Sequence, residues 1–284
     1  MAYGHPPDLT VYAIPVFVGL IVVEQLVLRR RRRRIDTKDF WASIGMGVGS
    51  LVTINLVGAI IGWWLATHLW PHRFFDLGTG VVGWTVALVG WDLIYYWDHR
   101  ISHELRFFWA SHVNHHSSLE FNLSTALRQP WTAFQTEILV APLALVGVRP
   151  DLIVVSGAIN LIYQYWIHTE VIDRIGPFER LFNSPSHHRV HHGSNPQYLD
   201  KNYGGILIIW DRLFGSFAAE DAPVVYGLTK DIDSYNLFHI AFHEWRALGR
   251  DVRATRGWRD RCRRLYRGPG WAPAGRAAEP QRVS

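Results

Sequence analysis

Two short stretches decide how this chain of 284 residues is read: His112-Val-Asn-His115-His116 and His188-Arg-Val-His191-His192. On a helix, positions i, i+3 and i+4 share a face, so each triplet can turn three imidazoles toward one metal. At a content of 15 His, one such triplet arises by chance in about one chain in twenty-five, and two in about one in a thousand. His99 and His103, four apart, add a third box, and His168 follows directly on an apolar run. The boxes hold eight imidazoles, more than one ion uses, since a catalytic zinc takes three protein ligands and a closed structural site four. The count asks for two metals. His187, beside the second triplet, is open to three readings: a ligand, a donor to a ligand, or a neighbour.

Around these boxes the sequence is apolar. Residues 11–28 carry a single charge, Glu24, and end at six consecutive Arg, residues 29–34. At 1.5 Å per residue the run spans about 27 Å, close to a hydrocarbon core, and reads as a first membrane helix. A signal peptide would place its charges before the apolar run and a small-residue cleavage site after it, which is the reverse of this order. Residues 44–69, 78–97, 131–148 and 152–167 are four more apolar stretches of helical length with Trp near their ends. One such stretch could be the core of a water-soluble domain; five are hard to hide there.

The expected architecture is therefore all-α, with multi-pass membrane helices below a cytoplasmic histidine-rich di-metal cap. The Arg run should stay cytoplasmic. Counting crossings from it places residues 36–41, residues 98–129 and everything after residue 167 on that side, and with them all the boxed histidines and His168. Four segments follow: 1–35, first membrane helix and Arg run; 36–217, catalytic domain with further membrane helices; 218–267, a cytoplasmic amphipathic segment; and 268–284, a Gly-, Pro-, Ala- and Arg-containing tail expected to be disordered. In the third, His239 and His243 sit beside Phe238 and Phe242, as on a helix resting on a membrane.

Charge and motif searches remove other classes. The net charge of +5 comes from the Arg run and the Arg-rich end, which leave the body between them near −9 by rough count. Topology and lipid headgroups account for both basic runs, which lack an aromatic-interleaved nucleic-acid module. The single cysteine, Cys262, excludes a disulfide framework and a Cys-based metal cluster. His103-Glu104 and His243-Glu244 each open a His-Glu-x-x-His pattern, but Phe107 and Ala247 stand where it must close. A metal transporter should carry ionisable ligands near the bilayer midplane; only Asp92 lies deep in an apolar span. Asp92, Asp98, Glu104, Glu120, Glu170, Asp173 and Asp200 are candidates to balance the metals' charge and hold the ligand rings, with Asp92 and Glu104 favoured.

The ordered set His99-Arg-x-x-His103, His112-x-x-His115-His116 and His188-x-x-His191-His192 resembles the fatty acid hydroxylase and sterol desaturase superfamily of histidine-ligated di-iron membrane enzymes. Several flanks are similar to its alkylglycerol monooxygenase branch: His115-His116-Ser-Ser-x-x-Phe-Asn122-Leu-Ser-Thr-Ala-Leu-Arg128-Gln, Tyr163-Gln-Tyr-Trp-Ile-His168-Thr-Glu170, Ser184-Pro-Ser-His-His, Asp200-Lys-Asn-Tyr-Gly-Gly and Ile209-Trp-Asp-Arg-Leu-Phe-Gly-Ser-Phe217. That branch usually has Glu directly after His-His-Ser-Ser, where this chain has Leu119 and then Glu120.

The resemblance implies two iron ions held by His99, His103, His112, His115, His116, His188, His191 and His192, with His168 as a ninth ligand. It gives Asn122, Arg128 and Asn202 orienting roles. It further implies O2-dependent hydroxylation of the ether-linked carbon of an alkylglycerol drawn from the membrane. The electrons would come from tetrahydrobiopterin or from an electron-donor protein. A sterol, sphingoid or acyl substrate is the alternative within the superfamily, and a membrane metal-binding protein the alternative outside it.

Overall fold

The computed structural model describes Pro6, residues 9–53 and residues 59–273. Among these residues every regular element is a helix, and the only extended pairing is an isolated bridge between Phe182 and Leu207. Helix α1 (Leu9–Arg30) has a mean hydropathy of 2.2 over its most apolar window and is the one helix here long and apolar enough by itself to cross a membrane. Most of it faces outward, with Tyr12 71% and Val16 59% exposed; Ile21, Glu24 and Leu28, three and four apart, form the strip that docks on the rest. Phe17 stacks on Tyr165 at 3.9 Å, and the Tyr165 hydroxyl donates to the Phe17 carbonyl at 2.8 Å.

Two of the expected apolar spans are not single helices in the described residues. The run over residues 44–69 is divided between α2 (Thr37–Thr53) and α3 (Ala59–Leu69), with residues 54–58 outside the description. Across residues 131–148 the chain starts without helix, then forms α6 (Gln135–Val140) and α7 (Leu143–Val146). Pro142, which has no N–H to give, separates those two. Gly147 closes α7 at φ +108°, where a Cβ would stand 2.4 Å from the Phe75 carbonyl oxygen. Only glycine suits that turn.

The centre of the molecule is α4 (Val81–Glu104), which packs on α5 (Arg106–His116), α6 and α8 (Pro150–Trp166). Leu105 ends α4 in extended geometry and starts α5 in the same residue, so the two helices fold against each other and bring His99 and His103 beside His112 and His116. Helix α9 (Pro185–His191) carries the second triplet. Ser184 caps it by accepting from the His187 N–H, and Pro185 fills the first helical position, where no donor is needed. Helix α10 (Ile209–Phe214) follows, and the expected amphipathic segment forms α11 (Leu237–Ala254), packed on α5, and α12 (Trp258–Tyr266). Of the tail expected to be disordered, residues 274–284 lie outside the described residues.

Candidate metal centre

The nine singled-out histidines gather into two groups. In one, nitrogens of His99, His103, His112, His116 and His191 lie within 4.8 Å of one another; in the other, those of His115, His168, His188 and His192 do. Each triplet is split. The i, i+4 pair His112/His116 joins the pair His99/His103 in the first group, while His115 points into the second; on α9 the pair His188/His192 enters the second and His191 the first. The sequence spacing had suggested that each triplet shares one metal. Adjacent residues on a helix diverge by about 100°, so His115 and His116, like His191 and His192, face different groups.

Hydrogen bonds fix which nitrogen of four of the rings is available. His168 Nδ1 lies 2.7 Å from the Gln164 carbonyl oxygen and His115 Nδ1 3.3 Å from that of Arg128. A carbonyl only accepts, so both Nδ1 atoms carry the proton and both Nε2 atoms present lone pairs. Those two Nε2 atoms are 3.1 Å apart, and His188 Nε2 is 2.9 Å from His168 Nε2. Two bare lone pairs at that distance repel unless a cation satisfies both. Nitrogens bound cis to one six-coordinate ion at about 2.1 Å stand about 3.0 Å apart, so the ring positions fit a metal. The first group shows the same device: His99 Nδ1 donates to the Tyr203 carbonyl at 2.8 Å and His191 Nδ1 to that of Lys201 at 2.9 Å, while His99, His112 and His116 bring their Nε2 atoms to 3.0 and 3.1 Å spacings.

Burial keeps these rings neutral. With no water to solvate an imidazolium, His112, His115, His116, His188, His191 and His192 are pulled well below the usual histidine pKa, and His168 to about 4. Neutral imidazole is the form a metal binds. Eight of the nine side chains are buried; His112 is partly exposed and marks the open edge of the first group.

The Lys201 and Tyr203 carbonyls face two ligands because Asp200 and Asn202 both take left-handed geometry, at φ +58° and +56°. Asn202 is fully buried and holds this shape by donating to the His187 and Ala218 carbonyls at 3.0 and 2.8 Å and accepting from the Ala218 N–H at 2.9 Å. Asp211, also buried, accepts from the backbone N–H groups of Tyr203 and Gly204 at 2.7 and 2.8 Å. Sequence reading passed over Asp211 and the two carbonyls. The Asp-Lys-Asn-Tyr-Gly-Gly composition, rich in residues that tolerate positive φ, was the available signal.

The singled-out polar residues are placed differently. Asp92 accepts from Asn160, Trp210 and the backbone N–H groups of Ile206 and Leu207, at 2.7 to 3.1 Å, so it pins the loop after Tyr203 to α4 and touches no ligand ring. Glu104 pairs with Arg100 at 2.8 Å near the surface. Asn122 accepts from the N–H and hydroxyl of Ser124, shaping a local turn. Among the other acids, Asp200 stands 3.8 Å from His103 Nδ1, and Asp98 accepts from the Thr136 hydroxyl at 2.5 Å. Arg128 pairs with Asp39 at 2.6 Å and donates to Ser43 and Ser117, tying α2 to the turn after His116. His187 lies outside both groups, edge-on to Phe217 at 5.4 Å.

Known proteins resemble the chain along most of its length. Alkylglycerol monooxygenases from Danio rerio, Homo sapiens and Xenopus tropicalis are 41%, 41% and 43% identical over 92–94% of this chain. An ornithine lipid hydroxylase from Rhizobium tropici is 31% identical over 55% of this chain and 47% of its own length. The chain spans about three fifths of the length of the alkylglycerol monooxygenases it matches, 59–61%. No solved structure matches it. Residues 84–216 match the fatty acid hydroxylase family. That segment, which holds all nine histidines of the two groups, is where the chain is similar to the fatty acid hydroxylase family.

Proposed function

We propose that this chain is a multi-pass membrane enzyme that holds two iron ions in its two histidine groups and uses O2 to hydroxylate the ether-linked carbon of alkylglycerols. The single observation that carries the metal reading is the pair of facing Nε2 lone pairs on His115 and His168 at 3.1 Å, which a cation satisfies. The similarity to alkylglycerol monooxygenases over nearly the whole chain supports the substrate. Imidazole donors suit iron as well as zinc, and O2 chemistry needs the redox-active ion. When bound, the irons would activate O2, one oxygen atom entering the C–H bond and the other leaving as water with two electrons, drawn from tetrahydrobiopterin or a donor protein, and two protons.

The chain's own part is positioning and exclusion. Backbone carbonyls hold four ligand rings in one tautomer, and burial shields the centre from competing protonation. The partly exposed edge at His112 is where a lipid carbon can approach. Hydroxylation beside the ether oxygen gives a hemiacetal, which breaks to a fatty aldehyde and a glycerol derivative.

Several features support the membrane placement. Beyond α1, large apolar side chains such as Val48, Ile60, Trp64, Val81 and Val82 are exposed at 55–84%, more apolar surface than water favours. Arg33 pairs with Glu170, two residues after His168, and Arg31 donates to the Val171 carbonyl, so the Arg run and the histidines lie on one side. If the run is cytoplasmic, so is the centre.

The test is the full chain, reconstituted anaerobically with Fe(II) in lipid and given alkylglycerol, O2 and reduced pterin. Stoichiometric fatty aldehyde is expected. Absence of aldehyde with hydroxylation of another lipid would move the substrate within the family, and no O2 uptake with any lipid would refute the enzyme reading.

A further inference from the structure

Helix α11 turns two unlike faces outward. Its buried strip, Ile240, Ala241, Glu244, Ala247 and Leu248, packs inward. Phe238, Phe242 and Trp245 occupy one flank at spacings of three and four, and His239, His243, Arg246 and Arg250 occupy the other. On the basic flank these four side chains, with Lys230 and Asp231 from the preceding loop, surround a cavity of about 270 Å³. That volume accommodates a glycerophosphate headgroup.

The charges around the cavity are unbalanced. No ion pair joins Lys230, Arg246 or Arg250 to an acid among the described residues, whereas Arg106, which packs on the same helix, pairs with both Glu244 and Asp251. Asp231 is the one acid in the lining, and its Oδ1 already accepts from the Leu228 N–H at 2.8 Å. Two guanidinium forks and an ammonium around a pocket complement the oxygens of a phosphate, which can take paired N–H donors from each fork. The floor of the cavity, Leu228 and Ile232, packs on Trp109 and Val113 of α5. Trp109 in turn lies against His103, His112 and His116 at ring separations of 5.3 to 6.4 Å. One layer of side chains therefore separates the pocket from the metal centre.

We infer that this cavity binds a phosphate group, at a site distinct from the histidine groups and independent of the reaction proposed for them. The adjoining aromatic flank, where Phe238 is 64% exposed and meets Trp131 edge-on at 5.5 Å, favours an anionic phospholipid headgroup as the carrier. Soluble phosphate is the other source of the same chemistry.

Native mass spectrometry of the full chain in neutral detergent, titrated with phosphatidylglycerol or phosphatidylcholine, reads the site directly. Inorganic phosphate and glycerol 3-phosphate serve as competitors. The wild type and a charge-matched control carrying Arg253→Gln and Arg256→Gln should bind phosphatidylglycerol at least about tenfold more tightly than the Arg246→Gln/Arg250→Gln variant. Arg246→Lys/Arg250→Lys should restore part of the affinity, and equal melting temperatures across the set show that all fold. Competition by the soluble phosphates means the phosphate group alone suffices, and its absence assigns the lipid; both keep the site. Equal affinity in the two Gln variants, or no binding of any phosphate probe by the wild type, overturns it.

Discussion

Glu24, the only acid in α1, accepts a hydrogen bond of 2.5 Å from the hydroxyl of Thr169, the residue that follows His168. Its other oxygen accepts from the Leu123 N–H at 2.8 Å. A charge that looks like a flaw in an apolar span thus fastens the first helix to the chain on either side of a ligand. Replacing Glu24 with Leu leaves both donors buried without acceptors and should cost roughly 2–4 kcal/mol. Glu24→Gln, which keeps one acceptor, should lose about half of that. Thermal unfolding in detergent measures the difference, and a Leu variant as stable as wild type would show that the tether does not hold the fold.

The two histidine groups should load separately. His168→Ala removes a ligand from one group alone, so metal analysis should find about one iron per chain where the wild type holds two. His99→Ala should do the same from the other side. An intact count of two in either variant would remove that residue from the ligand set.

Acid should unfold the metal-free chain early. In the unfolded chain His168 takes up a proton near the ordinary histidine pKa of 6.5, but in the folded chain burial lowers its pKa to about 4. Between those values unfolding binds a proton, so stability falls as pH is lowered and is unaffected by this group above about pH 7. A shift of that size is worth about 3 kcal/mol per ring, and the other buried rings move in the same direction. Melting temperatures of metal-free protein should drop between pH 6.5 and pH 4. Bound metal, which needs neutral imidazole, should carry the plateau to lower pH. A flat profile for the metal-free chain would contradict the buried, neutral state of the rings.

Asn202 tests the loop that orients His99 and His191. Asn202→Ala removes three hydrogen bonds and puts a less tolerant residue at φ +56°, for a combined loss of about 2–4 kcal/mol. Asn202→Gly keeps the backbone geometry and should recover part of it. Metal bound by the first group should weaken in both variants, while the His168 group keeps its ion. Uniform loss from both groups would mean that the loop supports the fold as a whole.

Much of this centre was legible in the sequence because helix periodicity is a local property. The spacing of His99/His103 and of the two triplets named eight of the nine residues that the fold gathers, and the apolar run over residues 11–28 lies within α1. What spacing could not tell was the division of each triplet between two groups, since that depends on where neighbouring helices lie. Nor could it separate a carboxylate that holds a ring from one that holds a loop. Asp92 looked like the former by its place deep in an apolar span, and its partners are Asn160, Trp210 and the backbone N–H groups of residues 206 and 207. The apolar run over residues 131–148 failed as one helix at Pro142, whose effect composition averages hide.

The splitting of His115 from His116, and of His191 from His192, has a last consequence. Because neighbours on one helical turn serve opposite groups, the gap between the two groups is ruled off by the backbone itself, by the rise and rotation of a single residue step on α5 and again at the end of α9. Such a ruler does not stretch. Side chains around the centre can drift, while the spacing between the two histidine groups stays fixed by peptide geometry.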